Sequence, residues 1–121
     1  MLIKLIEYFG KYCLTKEQGE ELYKAIEQPL LNKENITIDM CDTIVSATFL
    51  NNSIGKLLSI LDKDKINTLL KIIDDNKYRK GIIDRVIDNA EKFYKNIHKN
   101  TKEDFTNEIL FFLKKQDSNL K

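Results

Sequence analysis

Apolar residues change their period several times along the chain, and each change predicts a new element. Leu2 to Ile6 is short, apolar and isoleucine-rich, with Gly10 close behind, which predicts a first strand. Thr15 with Gln18 three positions on is a capping-box signature, and Leu22, Ala25, Ile26 and Pro29 recur behind it at helical spacing. A helix from Lys16 should therefore stop near Pro29, whose ring removes a donor and crowds the preceding turn. Asn32 to Asn35 is a polar turn, and Ile36-Thr37-Ile38-Asp39-Met40 reads as a β-branched second strand.

Helical spacing returns at Ser46, with Ala47, Leu50, Ile54, Leu57, Leu58 and Leu61 on one stripe, predicting a second helix. Asp62 to Asn67 reads as a charged connector, and Leu69 to Ile73 as a third strand closed by the turn Asp74-Asp75-Asn76. Ile82, Ile83, Val86, Ile87, Ala90, Phe93 and Tyr94 mark a third helix. Phe105, Ile109, Phe112 and Leu113 mark a fourth, beginning near Thr101. The order β-α-β-α-β-α-α implies an α/β fold with a small, mainly parallel sheet joined through right-handed crossovers and packed with helices. The expected division is an α/β domain over residues 1–100 and a C-terminal helix over 101–121. That helix is apolar on more than one stripe, which predicts packing on the domain or against a partner, a homodimer contact included.

Composition narrows the function. The 121 residues are 42% hydrophobic and 32% charged, enough apolar material for a core. Apolar runs such as Ile109 to Leu113 fall far short of a membrane span, and the N-terminus carries no secretory leader, so a cytoplasmic protein is expected. Cys13 and Cys41 have no Cys-x-x-Cys spacing and only His98 as a possible imidazole partner. They read as small buried hydrophobes, with neither a disulfide framework nor a zinc site. Net charge is +1, and the glycines Gly10, Gly19, Gly55 and Gly81 are isolated, so no phosphate-cradling loop is present. Lys77, Arg79 and Lys80 form a small basic cluster that reads as a solvated face, with Lys92, Lys95, Lys99 and Lys102 beyond it.

The junction from Ile36 through Leu50 is the most informative segment. A strand ends near Asp39, a short loop follows, and Ser46-Ala47-Thr48-Phe49 opens the next helix, with Gly55 further on. This arrangement resembles the STAS domains, named for sulphate transporters and anti-sigma-factor antagonists, and more closely the small bacterial STAS-like proteins. Thr15-Lys16-Glu17-Gln18-Gly19 upstream and Ile83 to Ala90 downstream extend the resemblance over most of Leu2 to Asn96. Ala47 and Val45 depart from the antagonist pattern, where a second hydroxyl and an aspartate are usual. The resemblance implies a non-enzymatic interaction module in bacterial regulation, with no cofactor. Its implied partner is a regulatory protein such as a serine kinase or an anti-sigma-like ATPase, and Ser46 is the candidate phosphorylation site.

A phosphate there adds nearly two negative charges to the face, which a partner with apolar or acidic groups would reject. The plainer alternative is that Ser46 and Thr48 are helix N-caps. The expected partner-binding residues are Met40, Cys41, Asp42, Thr43, Ser46, Thr48, Asn51 and Asn52. Asp39 and Asp42 could pair on a divalent cation, but aspartates after a strand more often bond turn backbone, so no metal is assigned. Two rival functions are a small-ligand or nucleotide-binding domain that uses the same loop, and a nucleic-acid-associated regulator.

Overall fold

Three short strands lie side by side in a computed structural model that describes residues 1–97. β1 (Leu2–Lys4), β3 (Ile36–Asp39) and β5 (Leu70–Ile73) run parallel in the order β1-β3-β5, with numbering in chain order. In register, Ile38 pairs with Ile3 on one side and Ile72 on the other. Parallel neighbours need long crossover connections, and here helices supply them. The fold is therefore the mixed α/β arrangement with a small parallel sheet that the order of elements predicts. Residues Met1–Glu91 belong to one compact unit. In the second unit, Lys92–Lys121, residues 92–97 are helical, and His98 and the expected helix from Thr101 lie outside the described residues.

Several boundaries differ from the sequence reading, each for a local reason. The first strand ends at Lys4, and Leu5–Phe9 forms a short helix α1 that stops at Gly10, whose φ is 83°. Helix α2 (Lys16–Leu31) opens with the expected capping box, Gln18 N–H donating to Thr15 Oγ1 at 3.1 Å and Thr15 N–H to Gln18 Oε1 at 3.1 Å. It passes through Pro29 and ends two residues later. The stop is Lys33 in the left-handed region, φ 63°. Its N–H donates to Leu30 O at 3.0 Å and that of Glu34 to Pro29 O at 2.9 Å, a Schellman closure. Pro29 forfeits only the one backbone bond of its missing N–H, and buried Leu30 anchors the last turn to the core.

The stripe starting at Ser46 is correct in its apolar face but is not one helix. Helix α3 (Ala47–Asn52) breaks at Ser53, whose hydroxyl donates to Phe49 O at 2.7 Å and draws the chain off helical geometry. A turn of 3₁₀ helix over Gly55–Ser59 follows. The expected connector is helix α4 (Lys63–Leu69), capped by Asp62, whose Oδ1 accepts from Lys65 N–H at 2.8 Å. Only Ile66 of α4 is fully buried, so its sequence shows charge without a stripe. Helix α5 begins at residue 79, three positions before Ile82, and occupies 79–91 of the compact unit.

The core lies between the sheet and these helices, with Leu5, Leu22, Ile26, Ile38, Phe49 and Leu57 fully buried. Phe49 stands edge-to-face with Phe9, ring centroids 5.7 Å apart. Gly19 lets α2 approach α3 closely. A Cβ there would stand 2.7 Å from Phe49 O and 2.9 Å from Asn52 Cβ, too near for any side chain.

Candidate functional site

The loop between β3 and α3 contains a short strand that the sequence reading missed. β4 (Ile44–Val45) pairs in parallel with β2 (Tyr12–Cys13), so Tyr12 faces Ile44 and Cys13 faces Val45. Two-residue strands show no alternation, and the pairing becomes visible only once the chain is folded. Cys13 points inward and is buried, and the neighbours on either side of it point out. Tyr12 is 55% exposed, Leu14 43% and Ile44 46%.

Ser46 sits at the end of this ladder and joins it to α3. Its Oγ accepts the Phe49 N–H at 3.0 Å, as an N-cap does, and donates its own proton to Leu14 O at 2.8 Å. One hydroxyl thus ties the start of α3 to the chain just before α2. Thr48 lies inside α3, so of the two expected caps Ser46 is the one in use.

The expected partner-binding residues divide by burial. Met40 and Thr43 are interior, Thr43 Oγ1 donating to Met40 O at 2.6 Å, so their side chains support the loop from beneath. Asp42, Thr48 and Asn51 are exposed, while Cys41, Ser46 and Asn52 are half-buried. Cys41 is thus less enclosed than the sequence reading expects, because the turn at Asp42 (φ 63°) lifts it from the interior.

Asp39 Oδ1 accepts the Cys41 N–H at 2.9 Å, the turn-bonding role weighed against metal binding. That donation holds the Asp39 carboxyl below its usual range. The Cys41 thiol, hydrogen-bonded to the Asp39 carboxylate, partly shielded from water and facing the negative charges of Asp39 and Asp75, is pushed up to about 11. At neutral pH it is a thiol and a poor nucleophile. No group of three or more histidine, cysteine or acidic side chains suited to a metal occurs among the described residues.

Arg79 organises the loop. The sequence reading places it in a solvated basic cluster with Lys77 and Lys80, yet it is only 7% exposed. Its Nη1 donates to Met40 O at 3.0 Å and to Asp74 Oδ1 at 3.2 Å, and its Nη2 to Thr43 O at 2.6 Å. The guanidinium fork spans both ends of the turn that carries Asp42, a task its planar geometry suits. Asp42 N–H adds a longer bond, 3.4 Å, to Asp75 Oδ2. No local sequence signal marks an arginine for this role, since the two carbonyls it braces lie 36 and 39 positions away.

A parallel α/β domain that presents a braced loop at the carboxyl ends of its strands defines the class of protein. Within it, the profile of the STAS-like domain of unknown function (DUF4325) matches residues 18–80. The chain belongs to that family. The match takes in α2 from Gln18 onward, the β3–α3 junction, α4 and β5, and reaches Arg79. No curated protein and no solved structure matches the chain. Among the described residues no helix is long and apolar enough to cross a membrane.

Proposed function

We propose that the chain is a non-enzymatic regulatory module of the bacterial cytoplasm that binds a protein partner through the face around Ser46. The observation that carries this reading is the exposed apolar trio of Tyr12, Leu14 and Ile44, placed beside a serine whose hydroxyl joins two elements. Exposed aromatic and aliphatic side chains at a rigid ladder are the usual anchors of a protein interface. Asp42, Thr48, Asn51 and Asn52 supply the polar rim.

Phosphorylation of Ser46 is the proposed switch. The ester replaces the hydroxyl proton, so the bond to Leu14 O is lost, and the added charge stands next to the apolar trio. A partner packed on that trio is released. The partner expected from the family resemblance is a serine kinase or an anti-sigma-like ATPase.

The test is affinity capture from the native cytosol with wild type, Ser46→Ala, Ser46→Asp and Ile44→Asp, with mass spectrometry of the retained proteins and of the Ser46 peptide. A regulatory protein retained by wild type and Ser46→Ala but lost with Ser46→Asp and Ile44→Asp supports the reading. Equal recovery with wild type and all three variants, together with an unmodified Ser46, refutes it.

A further inference from the structure

A cavity of about 520 Å³ opens between α4, β5 and α5. That volume falls within the roughly 300–1,000 Å³ of small-molecule sites. Ile66, Leu70, Ile72, Ile83 and Ile87 give it an aliphatic lining. Leu70 and Ile72 share one face of β5, and Asp74 continues the alternation just past the strand, so the apolar wall ends at a carboxylate.

Only half of that carboxylate is satisfied. Asp74 Oδ1 accepts from Arg79 Nη1 at 3.2 Å and from Asn76 N–H at 3.0 Å, while Oδ2 is buried without a hydrogen-bond partner. Buried acceptors in native proteins are nearly always paired, so this oxygen calls for a donor. Asp74 lines the cavity, and the torsion about its Cβ–Cγ bond is soft, so a bound donor has a carboxylate that can turn to meet it. Lys77 and Lys80 also line the cavity. Lys80 is exposed and forms no ion pair among the described residues. Asp74 is paired with Arg79, and Lys63 is held by Asp88, so Lys77 and Lys80 stand in the lining against Asp84 alone, a net of one positive charge.

We propose that this cavity binds a small carboxylic acid that has a flat or branched apolar body and one N–H or O–H donor. The body lies on the aliphatic lining, the carboxylate pairs with Lys80 and Lys77, and the donor bonds Asp74 Oδ2. This site does not depend on the partner-binding reading, and its test leaves the Ser46 face untouched.

The experiment titrates the full chain with indoleacetate by amide NMR and calorimetry, beside its N-methyl derivative, which lacks the donor, and skatole, which lacks the carboxylate. Saturable shifts confined to residues 66–87 are expected with indoleacetate. The N-methyl derivative should bind about tenfold more weakly, the worth of one charge-assisted hydrogen bond. Lys80→Ala should weaken indoleacetate by about threefold to tenfold and leave skatole unchanged, since a partly exposed ion pair is worth ~1 kcal/mol. Absence of saturable shifts in 66–87, equal binding of the N-methyl derivative, or an equal loss of skatole in Lys80→Ala overturns the proposal.

Discussion

Replacing Arg79 by methionine separates a braced loop from one that merely rests on the sheet. Methionine keeps the apolar stem and has a helix propensity close to that of arginine, so the change removes the guanidinium and little else. Three acceptors then lose the guanidinium: Thr43 O, Asp74 Oδ1 and Met40 O, the last of which keeps the Thr43 hydroxyl. Asp74 keeps the Asn76 N–H but is left as a largely buried charge without its counter-ion. Breaking a buried pair by removing one partner costs about 3–5 kcal/mol, and the one carbonyl left unpaired, Thr43 O, about 1–3. Relaxation of the loop toward water returns part of this, and a net loss of about 3–4 kcal/mol is expected.

A domain of this size is stable by roughly 5–15 kcal/mol, so the variant should still fold, with a clearly lower urea midpoint. Arg79→Lys should recover the charge but only one of the acceptors, and fall about midway between the two. Amide exchange should rise first at Cys41 to Val45, before the sheet is affected. A loss under about 1 kcal/mol for Arg79→Met, or a lysine variant equal to wild type, would refute the bracing role.

Other consequences follow from the packing and the titrations. Gly19→Ala should destabilise by about 1–2 kcal/mol in chemical denaturation, because overpacking against Phe49 O outweighs the helix propensity gained. A variant as stable as wild type would mean that α3 shifts freely. Ser46→Ala should cost about 1–2 kcal/mol in the same assay through loss of the cap, and Ser46→Asp less, since aspartate still accepts the Phe49 N–H. Equal stability of all three would show the hydroxyl to be structurally idle.

Cys41 should react with iodoacetamide at pH 8 about tenfold more slowly than an unstructured cysteine peptide, since its thiol at about 11 against an ordinary 9.0 cuts the thiolate fraction by more than its greater basicity returns in nucleophilicity. A rate near that of the peptide would contradict the hydrogen bond to Asp39. Because the folded state holds this proton more tightly, its contribution to stability is full below pH 9.0 and is lost as pH rises toward 11. Asp39 has the opposite sign. Its folded value lies below the ordinary 3.8, so its contribution is present above that pH and lost as the solution becomes more acid.

Much of the architecture is legible in local pattern. The capping box at Thr15 and Gln18, the β-branched run at Ile36, the helix start at Ser46 and the run before Asp74 each place an element correctly, because their signals lie within a few residues. The family resemblance at the β3–α3 junction is legible for the same reason, since it depends on a strand, a loop and a helix start in sequence. The errors fall where a local signal was weak or was overruled. α4 carries one buried residue, β2 and β4 are too short to alternate, and Pro29 is tolerated because Leu30 is buried beyond it.

What the sequence by itself determined is the α/β class, the order of the main elements and Ser46 as the residue that opens α3. Tertiary structure alone decided that the Ser46 hydroxyl also reaches Leu14, that Tyr12 stands beside Ile44, and that Arg79 is a buried brace and not part of a charged surface. The physical reason is the range over which each interaction acts. Propensity, capping and periodicity operate between near neighbours in the chain, whereas a hydrogen bond from residue 79 to residue 43 exists only once the sheet has brought the two loops together.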